Sequence, residues 1–205
     1  MSSASRQEYF QPDLHQGALH RSNGQRAAAL SVEIVQSLHF AFAEQLGEKA
    51  RDVVYRWGFE WALQDMVRLN QQLHDDIGGS LDLWQMDPKF ILDSWWTPLG
   101  EAGWGLCSFD FSALSRGLVV IDLHSSAVAA AFAGADQPVC HLYSGLFAGA
   151  MSFFERAERH GAEVQCTAMG APVCQFIVGT GADIDSAETM RQQGTPPTEI
   201  IRHLR

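Results

Sequence analysis

Two short β-type runs near the end of the chain, Ala162–Thr167 and Val173–Gly179, are separated only by the turn region Met169–Pro172. That spacing leaves room for one tight reversal, so the segment is read as a β-hairpin. Each run carries a cysteine at its inner end, Cys166 and Cys174. A symmetric register about Gly170 sets the two thiols roughly opposite each other across the strands. Upstream, Leu118 to Ile121 form a nearly continuous apolar block within Gly117–His124, the pattern of a central strand, and Trp104–Phe111 is a further β-type run.

The first half has a helical period. Ala27, Leu30, Ile34, Leu38, Ala41 and Phe42 predict an amphipathic helix from Arg26 that Gly47 closes. A second helix is predicted from about Glu48 through Leu69, ending before a Gly78–Gly79 break. Asp87 followed by Pro88 is an N-cap with proline at the first helical position, predicting a third helix that stops before Pro98. Ser125–Ser126 can cap a short alanine-rich helix, and about Val139 to His160 a longer one is expected. Helices first and strands mixed with helices later give an α+β class, with N-terminal helices packed on a largely antiparallel sheet. The strand order is not legible.

At 205 residues, with 46% hydrophobic and 19% charged side chains, the chain suits one domain with tails. The expected division is a flexible arm over 1–25, a domain over 26–180 with a helical lead-in (26–99) and a core (100–180), and a polar, peripheral tail over 181–205. A formal charge of -10 would be repelled by a phosphate backbone, which excludes nucleic acid as a partner. No apolar stretch approaches the roughly 18 residues of a membrane-spanning helix, so no membrane insertion is expected. Met1 to Asn23 holds no apolar signal-like core, so a reducing, cytoplasmic setting is expected. There the cysteines suit metal ligation or buried thiols better than a disulfide framework.

Cys140 precedes the longer helix, and Glu163 stands three residues before Cys166. Free amide groups at a helix start stabilise a thiolate, which makes Cys140 a natural third ligand beside Cys166 and Cys174. Three residues along a regular strand would point Glu163 away from Cys166, so its joining them requires a bulge. From spacing alone three readings stay open: a shared metal ion, a Cys166–Cys174 disulfide, and space-filling buried thiols. Cys107 has no local partner and reads as a buried thiol.

The stretch Val139 to Gly149, with Cys140-His141-Leu142-Tyr143-Ser144-Gly145, followed by Glu163-Val164-Gln165-Cys166 and Cys174 after seven intervening residues, resembles the 4-vinyl reductase domain family. The likeness covers roughly Gly100 to Gly179 and is similar to the aromatic-sensing input domains of phenol- and xylene-responsive regulators. It implies zinc ligation by Cys140, Glu163, Cys166 and Cys174 and hence a zinc-pinned hairpin. Three thiolates and a carboxylate leave no open position, so the implied zinc is structural rather than hydrolytic. The family's association with aromatic effectors and tetrapyrrole metabolism implies a hydrophobic, aromatic or tetrapyrrole-type ligand.

Trp57, Trp61, Trp95, Trp96, Trp104 and Phe109 fall on elements expected to face a common interior, where they can line a ligand pocket or fill a tryptophan-rich core. Gly145 and Gly149, one turn apart, permit close helix packing against the sheet or a partner chain. His39, His124 and His141 read as surface or hydrogen-bonded histidines. No phosphate loop or dinucleotide fingerprint occurs, and nothing pairs the scattered carboxylates for acid-base work. The expected function is therefore a zinc-stabilised small-molecule sensor or carrier, not an enzyme, acting as a homodimer that signals to a downstream protein. The alternatives are an accessory factor or reductase of (bacterio)chlorophyll or tetrapyrrole metabolism, and a dimeric interaction scaffold.

Overall fold

Gly47, at φ 57°, closes the first helix as expected, because a positive φ there costs glycine nothing. The protein is seen in a computed structural model that describes residues 9–21, 24–76 and 83–205; the Gly78–Gly79 break lies outside them. Helix α1 spans Val32–Leu46 and α2 spans Ala50–Asp76. The early part of the first predicted helix is not helical. Instead β1 (Phe10–Asp13), β2 (Ala18–Arg21) and β3 (Arg26–Ala27) form a small antiparallel sheet. The Asp13 carboxylate accepts the His15 and Gln16 amides at 3.0 and 3.1 Å and turns the chain between β1 and β2.

Helix α3, Pro88–Glu101, starts as predicted, with Asp87 accepting the Lys89 amide at 2.7 Å, but runs past Pro98. The helical turn is kept because the Ala102 amide still reaches the Pro98 carbonyl at 3.0 Å and Leu99 is buried in the core. Strands β4 (Leu106–Asp110), β5 (Val119–His124), β6 (His160–Gln165) and β7 (Cys174–Gly179) form an antiparallel sheet in the order β4-β5-β7-β6. The apolar block of β5 thus lies in an interior strand. Ser126 caps the short α4 (Ala127–Ala131), and α5 (His141–Glu155) follows.

Helix α5 is buried from Leu142 to Met151, on one face of the sheet and beneath α2. The two helices approach so closely that a Cβ built at Gly145 would sit 1.9 Å from the Tyr55 carbonyl oxygen, and one at Gly58 would sit 2.1 Å from that of Leu142. Gly145 and Gly149 therefore pack against α2, not against the sheet.

The other sheet face is covered by two helices where a peripheral polar tail is expected: α6 (Gly181–Gln192) and α7 (Pro197–Leu204). Ile184, Ala187, Ile200, Ile201 and Leu204 bury against Leu118, Val120, Ala162, Val164 and Ile177. A reciprocal capping box between Thr180 and Asp183 starts α6. Its apolar stripe is too narrow to stand out in a polar sequence, yet it is wide enough to cover one sheet face. No helix among the described residues is long and apolar enough to cross a membrane.

Candidate metal centre

Cys140 is the residue before α5, Cys166 follows β6, Cys174 opens β7, and Glu163 lies on β6. The pairing of β6 with β7 shifts between Glu163 and Gln165. This irregularity meets the requirement read from the sequence: one extra residue swings Glu163 to the side on which the thiols gather. The three sulfurs and a carboxylate oxygen all lie within 4.8 Å of one another, and all four residues are buried. Together they can hold a metal ion. All four cysteines of the chain are free, and the Cys140 and Cys174 sulfurs stand 3.9 Å apart.

The surroundings already neutralise part of the charge that such a donor set carries. The Cys140 amide donates to Glu163 Oε2 at 2.9 Å, while Glu163 Oε1 is buried without a partner. The Thr167 amide and hydroxyl lie 3.3 and 3.2 Å from the Cys174 sulfur, and the Ser126 hydroxyl lies 3.5 Å from that of Cys140. A buried carboxylate oxygen left with no hydrogen-bond donor costs free energy unless a proton or cation meets it. The orphaned oxygen and the soft thiol set fit a bound divalent ion.

Proton placement without a metal follows from burial. Desolvation pushes Glu163 up to about 8, reinforced by the Cys174 sulfur. Burial and hydrogen bonds donated to its neighbours hold the Cys140 thiol well above its usual range. This departs from the expectation that the helix start keeps Cys140 as a thiolate, because desolvation outweighs the amide dipoles in so enclosed a site. The thiolate is Cys174, drawn down chiefly by the hydrogen bond from Cys140, then by those from Cys166 and Thr167. The metal-free cluster thus shares its protons around one anionic sulfur.

Nothing in the sequence alone marks Ser126 and Thr167 as partners of the sulfurs. Ser126 is legible there only as a helix cap, a role it also plays by accepting the Ala129 amide at 3.0 Å. Cys107 lies on β4, half-buried and apart from the cluster, with its thiol pushed up by burial. Cys107→Ser is expected to leave metal content unchanged, and elemental analysis of the purified variant checks this.

Five of the six aromatic residues picked out in the sequence meet in one buried wall. Trp61 packs edge-on to Trp104, Trp95 to Trp96, and Phe109 to Phe147, with Tyr143 and Phe147 linking them at centroid distances of 5.3 to 6.3 Å. Tyr143 donates to the Trp104 carbonyl at 2.6 Å and Trp96 Nε1 to that of Gly105 at 3.0 Å. Trp95 Nε1 is buried with no partner. Trp57 is separate: it is 39% exposed and borders a cavity of about 20 Å³ between α1 and α2, room for about one water.

Residues 119–180, which include all four clustered donors, match the family model of the vinyl-4-reductase domain. No curated protein matches the chain. Among solved structures the chain is similar to the phenol-responsive sensory domain of the transcription activator PoxR, determined with phenol. The identity is 19% over 88% of this chain and 89% of that one, with a TM-score of 0.62. It is also similar to a vinyl-4-reductase family protein from Methanocaldococcus jannaschii, at 13% identity over 74% and 82% of the two chains and a TM-score of 0.50. A third likeness is to trafficking protein particle complex subunit 3 from Naegleria fowleri, covalently bound to palmitic acid. There the identity is 12%, over 72% and 91% of the chains, with a TM-score of 0.52. These likenesses carry the α+β fold, with its helices on an antiparallel sheet, and agree with the resemblance read from the cysteine and glutamate spacing.

Proposed function

We propose that this protein is a small-molecule sensor or carrier module in which a structural zinc ion, held by Cys140, Glu163, Cys166 and Cys174, clamps the β6–β7 hairpin to the start of α5. The observation that carries the reading is the convergence of four buried donors in a fold shared, over almost its whole length, with a phenol-responsive sensory domain. Tetrahedral zinc with Zn–S bonds of about 2.3 Å has sulfurs about 3.8 Å apart. The 3.9 Å between the Cys140 and Cys174 sulfurs supports that size of ion. When bound, zinc serves as a fixed cross-link, since its four positions are filled by protein.

The ligand proposed is an apolar ring received at the wall of Trp61, Trp95, Trp96, Trp104 and Phe109, with the unpartnered Trp95 indole N–H as the polar contact. The wall is closely packed, so a ring enters by parting α3 from α5. That movement is what a sensor transmits to a downstream partner. The reading includes a homodimer, supported by the large apolar side chains that α1 leaves outside, Ile34, Leu38 and Phe40.

Native mass spectrometry of protein purified without chelator, followed by phenol titration against tryptophan fluorescence, tests it. One zinc per chain, a doubled mass and saturable quenching are expected, with Trp95→Phe weakening phenol by roughly fivefold or more through the lost hydrogen bond. Reduced, zinc-free protein would remove the metal from the reading. Zinc-bound protein that no aromatic ligand quenches would favour the interaction scaffold.

A further inference from the structure

A cavity of about 360 Å³ lies outside the aromatic wall, between the first turns of α2 and α5, the edge strand β6, and α6. Two guanidinium groups line it from opposite helices, Arg51 of α2 and Arg191 of α6. Arg51 donates to the side-chain oxygen of Gln137, a neutral partner that leaves its charge uncompensated. Arg191 is half-buried and forms no ion pair among the described residues.

The inner side of the cavity is polar as well. Ser144 is 3% exposed, and its hydroxyl has no hydrogen-bond partner. The Tyr55 hydroxyl accepts the Gly161 amide at 3.2 Å, which leaves its own proton free to donate. A buried hydroxyl without a partner is uncommon and is relieved by a ligand or water that supplies one. The carboxylates of Asp52 and Glu188 stand on exposed rim positions, whereas the donors reach further in.

We infer that this cavity binds the carboxylate or phosphate group of a small polar molecule, with Arg51 and Arg191 clamping the oxyanion and the Ser144 and Tyr55 hydroxyls completing its donors. Paired guanidiniums suit such groups because their planar N–H forks match two oxygens at once. The site is separate from the proposed ring-binding wall. It adjoins the metal cluster at Glu163, which borders both.

The test is calorimetric titration of the full chain as purified, at physiological ionic strength, with inorganic phosphate and with succinate in separate runs. Saturable one-site binding with Kd below about 10 mM is expected for at least one of them, and which one binds identifies the oxyanion. Arg51→Gln and Arg191→Gln should each weaken it by about tenfold, and Ser144→Ala by a few-fold, while Arg202→Gln on α7 leaves it unchanged. Circular dichroism confirms that the variants fold, which is expected because neither arginine is buried. No saturable binding of either anion, or binding that survives the double Arg51→Gln/Arg191→Gln substitution, overturns the inference. Repeating the runs after chelation keeps the result independent of zinc.

Discussion

Gly145→Ala is expected to lower the melting temperature by roughly 10 °C or more, or to prevent folding, although it adds a single methyl group to a helix that alanine otherwise favours. The new Cβ would lie 1.9 Å from the Tyr55 carbonyl oxygen and 2.9 Å from the Phe59 amide nitrogen. Both are backbone atoms that no rotamer change can move. Separating α2 from α5 would strip contacts along a helix buried from Leu142 to Met151, at an overpacking cost of about 3 kcal/mol or more. Gly194→Ala is the matched control. Gly194 has φ 79° but nothing within 4 Å of a built Cβ, so the cost there is only the left-handed backbone, about 1 kcal/mol. Thermal melts of the two variants that coincide would show that the helix contact is not tight.

Cys166→Ser should bring zinc content well below one per chain and lower the melting temperature together, by roughly 10 °C if zinc binding contributes about 4 kcal/mol. Chelator should reproduce the loss in the wild type and add nothing in the variant. Zinc uptake should also release protons at neutral pH. Cys140 and Cys166 hold theirs without metal; at Cys166 the downward pull of Cys140 is outweighed by its bond to Cys174 and by burial, which leave it up at about 12. Glu163, held up to about 8, is protonated too. Each must ionise to ligate, so affinity rises with pH and acid strips the metal. Calorimetry in buffers of different ionisation enthalpy counts the released protons. A zero count, or a variant that keeps full zinc, would contradict the assignment.

Much of this molecule is written locally. The Asp87–Pro88 start of α3, the Gly47 end of α1, the Ser126 cap of α4 and the β6–β7 reversal depend on contacts within a few residues, and such contacts are visible as short-range patterns. The four clustered donors are legible for a related reason: two flank one hairpin, and the others sit beside its strand and at a helix start.

What the sequence could not determine rests on contacts between residues far apart in the chain. The bulge that turns Glu163 toward the thiols is a property of strand pairing. The burial of α6 and α7 depends on a sheet face presented by β5, β6 and β7, so their sparse apolar residues read as a tail. Trp57 shares a helix and a face with Trp61, yet the packing of α1 leaves it outside the aromatic wall. Arg51 and Arg191 meet across one cavity although 139 intervening positions separate them. Spacing along the chain determines which donors can meet; only tertiary packing decides which side chains are desolvated, and desolvation sets the protonation of Cys140 and Glu163.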